Sequence, residues 1–282
     1  MLKLKRAISR FIPEPMYLRV RHRIRFGRWP SIKSPKTFNE QILKLMIDRE
    51  ESVLRRVFAD KYGFRSYVAE KIGSEHLPKL IKVIGQNDDF NLDDVAGPFV
   101  MKATHGSSLV KIVRDRAAAQ DAELESIAKA WLSTDYYWSG REYVYRGAER
   151  RLLLEELLKD PAGGGIPPDY KFFVFRGSTR VIQVDLSRFD RHERLLLTTD
   201  WSPIDVEYKY QRPAQSVPRP PNLEKMLSLA ASLAGSMSFV RVDLYDLGDR
   251  ILVGELTNFP EAGNGKFKPD SFDYELGSFL AS

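Results

Sequence analysis

Between Phe239 and Thr257 apolar and polar residues alternate in two short runs, FVRVDLY and ILVGELT, separated by a turn sequence containing Gly248-Asp249. A period of two is the signature of a strand whose faces meet different environments, and the pair reads as a β-hairpin. Val240, Val242 and Leu244 share one face, and Arg241 and Asp243 share the other. On the return strand Glu255 and Thr257 lie on one face. A turn near Gly248 sets Asp243 across from residue 254 or 255 and Arg241 near Thr257. The hairpin is therefore expected to hold two carboxylates roughly 5 Å apart with an arginine beside them. Opposed like charges require compensation, either by a hard divalent cation bound through oxygen or by solvent screening on an outer face. On spacing alone both readings stay open.

The same patterns place other elements. Thr37-Phe38-Asn39-Glu40 reads as a capping box ahead of a helical stripe of Ile42, Leu45 and Met46. A second amphipathic stretch runs from Val53 to Phe58. Pro98 to Lys102 and Leu109 to Val113 are strand-like runs around a small polar loop, Ala103-Thr104-His105-Gly106-Ser107-Ser108. This is not a P-loop, which needs a helix behind it and a Gly-Lys-Ser/Thr ending. Its N–H groups can still cradle phosphate, with Lys102 as a point charge. Asp121 to Leu132 reads as a helix with Asp121 at its N-cap and Leu124, Ile127, Ala128 and Trp131 inward. Tyr136-Tyr137-Trp138 is a packing surface or a sugar platform. Arg151 to Leu158 is apolar with two adjacent acids. Asp169 to Phe175 and Val181 to Leu186 form a hairpin about Arg176-Gly177. Asn222 caps a helix striped by Leu223, Met226, Leu227, Ala230 and Leu233, ended by Gly235.

Composition narrows the chemistry. The 282 residues include no cysteine, which excludes disulfides, thiol catalysis and thiolate metal sites. Four histidines, His22, His76, His105 and His192, show no ligand spacing, so zinc is not expected. The net charge of +6 is unevenly spread. Residues 1–36 carry eleven Lys or Arg and one acid, Glu14, whereas the remainder is mildly acidic. The opening MLKLKRAISRFIPEP interleaves Leu2, Leu4, Ile8, Phe11 and Ile12 with Lys3, Lys5, Arg6 and Arg10. It lacks the unbroken apolar core of a signal peptide. A basic amphipathic helix on an anionic membrane surface and a helix packed on the body both fit. The expectation is a cytoplasmic protein, peripheral to the inner face of the membrane through residues 1–28. No nucleic-acid partner is expected.

In order along the chain, SPKTFNE at Ser34–Glu40, DKY at Asp60–Tyr62, KATHGS at Lys102–Ser107, DYKF at Asp169–Phe172, VRVDLY at Val240–Tyr245 and GELT at Gly254–Thr257 resemble blocks of the TupA-like branch of the ATP-grasp superfamily. The match spans nearly everything after residue 30. The resemblance implies an α+β, ATP-grasp fold: two α+β lobes clamping ATP, with a basic helical N-terminal arm at 1–33. The lobes are expected at about 34–154 and 155–282. It further implies ATP and Mg2+, with Lys61 and Lys102 on the α- and β-phosphates and the His105-Gly106-Ser107 loop closing over them. Glu155, Glu156 and Leu158 would line the adenine and ribose pocket. Lys171 and Arg241 would neutralise the transferred phosphoryl group and the developing oxyanion. Asp243 and Glu255 would hold magnesium, with Thr257 or Asn258 completing the site. Strand alternation favours Thr257, and a bulge after Leu256 would favour Asn258. Two departures stand out: Ser108-Leu109 follow the loop where the family is usually richer in glycine, and Thr257 stands where many ATP-grasp proteins have Asn.

The resemblance implies an ATP-dependent carboxylate–amine ligase acting through an acyl phosphate on a cell-surface polysaccharide or its precursor. Its partners would be a carboxylate-bearing saccharide or lipid-linked precursor and an amine donor such as an amino acid. Arg188, Arg191 and Tyr136–Trp138 are the candidate acceptor residues. A polysaccharide glycosyltransferase is the alternative, although the chain contains no Asp-x-Asp. A non-catalytic membrane or polysaccharide binder is a third.

Overall fold

The computed structural model describes residues 11–161, 163, 165–186 and 192–281. The expectations for Leu2 to Arg10, Arg188 and Arg191 lie outside the described residues. Four helices come first: α1 (Glu14–Phe26), α2 (Phe38–Asp48), α3 (Ser52–Ala59) and α4 (Gly63–Ile72). Then follow β1 (Leu80–Gly85), β2 (Phe99–Ala103), β3 (Val110–Val113), α5 (Asp121–Leu132), α6 (Tyr137–Gly140) and β4 (Arg151–Glu156). The last part contains β5 (Asp169–Phe175), β6 (Ser178–Leu186), β7 (Glu193–Leu197), β8 (Glu207–Tyr208), α7 (Leu223–Ala234), β9 (Phe239–Asp246), β10 (Ile251–Thr257), β11 (Phe267–Lys268) and α8 (Ser271–Ala281).

Local chemistry accounts for several boundaries. The Thr37 hydroxyl accepts from the Glu40 N–H at 3.2 Å, and the Glu40 carboxylate accepts from the Thr37 N–H at 3.3 Å. This is the expected capping box, and it buries Ile42, Leu45 and Met46 behind it. One cap differs from expectation, and a second, Asn222, stands at the expected N-cap position without a side-chain bond to the helix. Asp121 is the first helical residue of α5, not its cap, because its carboxylate pairs with Arg116 at 2.7 Å. Asn222 precedes α7 but donates to Asp246 at 2.8 Å and to the Gly248 carbonyl at 2.9 Å. It thereby ties the helix to the β9–β10 turn.

Two antiparallel sheets carry the architecture: β1-β4-β2-β3, and β10-β9-β5-β6-β7. The smaller sheet packs on α5 through Ile84, Phe99, Met101, Leu152, Leu154, Leu124 and Ala128. The larger sheet is covered on both faces. Tyr170, Phe172, Val174, Val240 and Val242 meet α3, α4 and α7 on one side. Phe173, Phe175 and Phe239 meet α1, α2 and α8 on the other, where the Phe38 ring lies 5.1 Å from that of Phe239. Each such ring buried contributes about 1.5–3 kcal/mol. α2, α3 and α4 thus pack on the larger sheet, while Lys61 and Arg65 also bond to Thr104 and Glu155 beside and on the smaller one. The apolar stripes of these helices face Phe173 and Val174.

Candidate active site

Register on the larger sheet builds the site. Glu255 pairs with Asp243, Asp243 with Lys171, and Lys171 with Gln183, so four neighbouring strands contribute one polar rung. The rung before it holds Thr257, Arg241, Phe173 and Val181, and the one beyond holds Asp169, Asp185 and Arg194. Side chains alternate along strands, so all these groups emerge on one face. The face that is core at Phe175, Phe173 and Phe239 becomes charged at Lys171, four residues from Phe175, and at Arg241, two residues from Phe239.

The charges are interlocked. Arg241 grips both Asp243 oxygens at 2.7 Å and donates to the Thr257 hydroxyl at 2.9 Å. That hydroxyl donates to Glu255 at 3.1 Å. Lys171 donates to Asp243 at 2.8 Å and also to Asp169. Asp185 receives Arg194 at 2.6 and 3.1 Å and the Gln183 amide at 3.1 and 3.0 Å. Burial alone would raise the Glu255 carboxyl, but Lys61, Arg241 and Lys171 outweigh it and hold it at about 2. For Asp243 burial wins, and its carboxyl is raised despite Arg241 and Lys171. Burial opposes the charge on Arg241, yet Asp243 and Glu255 hold the guanidinium protonated above its ordinary range.

The opposite wall comes from the smaller sheet. Lys102 on β2 pairs with Glu155 on β4 at 2.7 Å, and Arg65 of α4 takes the other Glu155 oxygen at 2.6 Å. Glu156 accepts from the Lys79 N–H at 2.9 Å and from Arg250 at 3.2 Å. Arg250 belongs to the β9–β10 turn, so Glu156 joins the two sheets. Lys61 donates to the Gly106 carbonyl, fixing the loop between β2 and β3 over the site. Gly106 is required there, because a Cβ would meet the Tyr136 ring at 2.6 Å. The walls enclose about 780 Å³, within the range of small-ligand pockets.

Of the residues singled out from sequence, Lys61, Lys102, Ser107, Glu155, Glu156, Leu158, Lys171, Arg241, Asp243, Glu255 and Thr257 line this cavity, as does Tyr136. Three do not. Gly106 turns its carbonyl to Lys61. His105 is buried beneath the loop with Nε2 against the Trp131 carbonyl at 3.1 Å, and burial lowers its pKa. It packs against α5 and does not reach the cavity. Asn258 faces α3: its amide donates to the Arg55 carbonyl at 2.7 Å and its oxygen accepts from the Arg55 guanidinium at 3.5 Å. Regular alternation persists through Thr257, and the one irregularity in the β9–β10 pairing falls between Val253 and Glu255. Asn258 is therefore turned away from the carboxylates, correcting its place among the metal ligands. Tyr137 is buried, with its hydroxyl donating to Glu14 at 2.7 Å.

Sequence reasoning missed several wall residues. Asp185 was legible, since it shares a strand face with Gln183. Arg21 and Glu142 were not, because they arrive from α1 and from the segment after α6. The Glu142 side chain opens onto the cavity but is otherwise enclosed by protein. Burial raises its carboxyl to about 7, with Arg21 opposing and Glu255 adding to the shift.

Among the described residues no group of three or more acidic or histidine side chains is poised to hold a metal ion. Magnesium needs fewer: one or two carboxylates, with waters and phosphate oxygens completing its shell. Asp243 and Glu255, opposed on neighbouring strands with the Thr257 hydroxyl beside them, are a hard-oxygen set of that kind.

A family profile described as TupA-like ATPgrasp matches residues 39–281. No curated protein matches the sequence. Among solved structures, the chain is similar to D-alanine–D-alanine ligase from Bacillus anthracis complexed with ATP, at 15% identity and a TM-score of 0.45, covering 80% of this chain and 65% of that one. It is also similar to D-alanine–D-alanine ligase from Helicobacter pylori, at 15% identity and a TM-score of 0.46, covering 88% and 69%. A D-cycloserine synthetase gives 14% identity and a TM-score of 0.45, covering 82% and 71%. The chain thus spans just under two thirds of the length of the Bacillus anthracis ligase, at 65%.

Proposed function

The chain belongs to the TupA-like ATP-grasp family, and we propose that it is an ATP-dependent ligase that activates a carboxylate as an acyl phosphate and joins it to an amine. The carboxylate would belong to a cell-surface polysaccharide or its precursor. The observation that carries this reading is the rung of Glu255, Asp243 and Lys171 with Arg241 beside it, facing Lys102 and Glu155 across one cavity. Phosphoryl transfer asks a protein mainly for position and for positive charge aimed at oxygens. Lys61 and Lys102 bring such charge from the loop side, and Lys171 and Arg241 from the sheet. Magnesium, when bound by Asp243 and Glu255 with Thr257 alongside, would supply further charge to the phosphates. Arg241 holds Asp243 through two bonds, which fixes the carboxylate before any ligand enters. Leu157 and Leu158, directly after β4, give the apolar wall that a purine ring requires.

Two measurements test this. ATP with magnesium should raise the melting temperature where UDP-sugars do not; the reverse result would favour a glycosyltransferase. Incubation with a panel of uronic acids and amino acids should release ADP, and Glu255→Gln should abolish that release. ADP release that survives Glu255→Gln would overturn the assignment of the metal-binding carboxylates.

A further inference from the structure

Helix α1 has two unlike faces. Leu18 and His22 are buried inward, and Arg21 on that side donates to the Gly140 and Ala262 carbonyls at 2.8 and 2.6 Å at the cavity wall. The outward face carries Met16, Val20 and Ile24, spaced four residues apart and so aligned along the helix. Met16 is 48% exposed and Ile24 80%. Phe11 before the helix is 90% exposed and Trp29 after it 58%. Four of the eight large hydrophobic side chains exposed among the described residues thus fall within nineteen positions of chain, Phe11 to Trp29. Isolated exposed apolar residues are ordinary, but a contiguous group marks a contact surface.

The charges around this group are of one sign. Arg19 and Arg23 flank the stripe, Arg25 lies on the Arg21 side of the helix, and Arg28 follows its C-terminal end. Arg23 donates to the Gly27 carbonyl, Arg25 to the Asn264 carbonyl at 3.0 Å, and Arg28 lies over the Tyr274 ring at 5.5 Å. None of the four forms an ion pair with a carboxylate among the described residues. Elsewhere arginines are neutralised, as Arg49 is by Glu14, Arg65 by Glu155 and Arg250 by Glu156.

We infer that the outward face of α1, with Phe11 and Trp29, is a seat for an anionic lipid bilayer. The combination decides the occupant: guanidinium groups without a carboxylate partner attract phospholipid headgroups, while Ile24, Met16 and Trp29 gain only where there is an apolar layer to enter. An acidic polysaccharide would use the arginines and leave the apolar stripe in water. Seated this way, the cavity wall at Arg21 lies about one helix diameter, roughly 10 Å, from the headgroups. That position suits a membrane-held substrate, although the lipid contact stands independently of the ligase reading.

Sedimentation of the full chain with vesicles tests it. The protein should pellet with a phosphatidylcholine–phosphatidylserine mixture at low salt, not with phosphatidylcholine alone, and high salt should release it. Each basic residue near such a surface contributes about fivefold, so Arg19→Gln with Arg23→Gln should weaken binding roughly 25-fold. Ile24→Asp with Trp29→Ala should weaken it at least about tenfold. Both pairs should keep the melting temperature and its rise with ATP–magnesium, which reports the cavity separately. Absent or charge-independent pelleting would overturn the inference. So would wild-type binding by both pairs, which would put the contact in residues 1–10. Retention on polygalacturonate without vesicle binding would assign the face to an acidic polymer and overturn it as well.

Discussion

The two sheets that face each other across the cavity hold their charges in different ways. On the larger sheet Asp169, Lys171, Asp185, Arg194, Arg241 and Asp243 are nearly all buried and bonded to one another before any ligand arrives. On the smaller sheet Lys102 and Glu155 form a single junction with Arg65, and the Lys102 side chain keeps 20% of its surface accessible. One wall is a rigid electrostatic template; the other is a sparse set of contacts next to a small-residue loop. The difference follows from covering. The larger sheet is packed on both faces, whereas the smaller has α5 on one side and the cavity on the other. Removal of a charge should accordingly damage folding on the first wall and ligand binding on the second.

The sharpest way to break this contrast is Lys171→Met, which removes the ammonium that Asp169 and Asp243 share. Stripping one member from a buried charge network typically costs 3–5 kcal/mol, and urea denaturation should show a loss of that size. A folded, equally stable variant would mean that the template is less tightly coupled than its bonds indicate. Lys102→Ala is the counterpart. Glu155 keeps Arg65, so the unfolding midpoint should hardly move, while calorimetry should show ATP affinity weakened by about 1.5–3 kcal/mol. Unchanged affinity would remove the loop side from the nucleotide site.

Asn258→Ala separates structure from chemistry at the end of β10. Its amide satisfies the Arg55 carbonyl and its oxygen accepts from the buried Arg55 guanidinium, so stability should fall by about 1–3 kcal/mol. ADP release per folded molecule should remain near wild type, whereas Thr257→Ala should reduce it strongly. The opposite ordering would return Asn258 to the metal site.

The smallest effect concerns Glu142. Its folded pKa of about 7 lies above the ordinary 4.5. The folded state therefore binds this proton more tightly, and the associated stability is present at low pH and lost as pH rises through that window. Wild type should lose about 1–2 kcal/mol more than Glu142→Gln between pH 5 and pH 8, read from denaturation midpoints. Parallel curves would place Glu142 in solvent.

How much of this was legible in the sequence differs by element. The period-two runs around Gly248 predicted β9 and β10 and set Asp243 across from residue 254 or 255, because a short turn leaves little freedom of register; the irregularity between Val253 and Glu255 decides for Glu255. The capping box of α2 was equally local. The hairpin of β5 and β6 was found with its second strand beginning three residues late, at Val181 where pairing starts at Ser178, since Ser, Thr and Arg carry no apolar signal on a sheet's rim. Only the tertiary structure could set β5 beside β9, and hence Lys171 beside Asp243, because those two residues lie 72 positions apart in the chain. The same holds for Arg21 and Glu142, brought to the cavity by α1 and the turn after α6, and for residues 34–72, drawn to the larger sheet. Local turns and alternation act within a few bonds and are written in neighbouring residues. Which apolar stripe meets which sheet is settled by packing over the whole chain, where no short stretch carries the instruction.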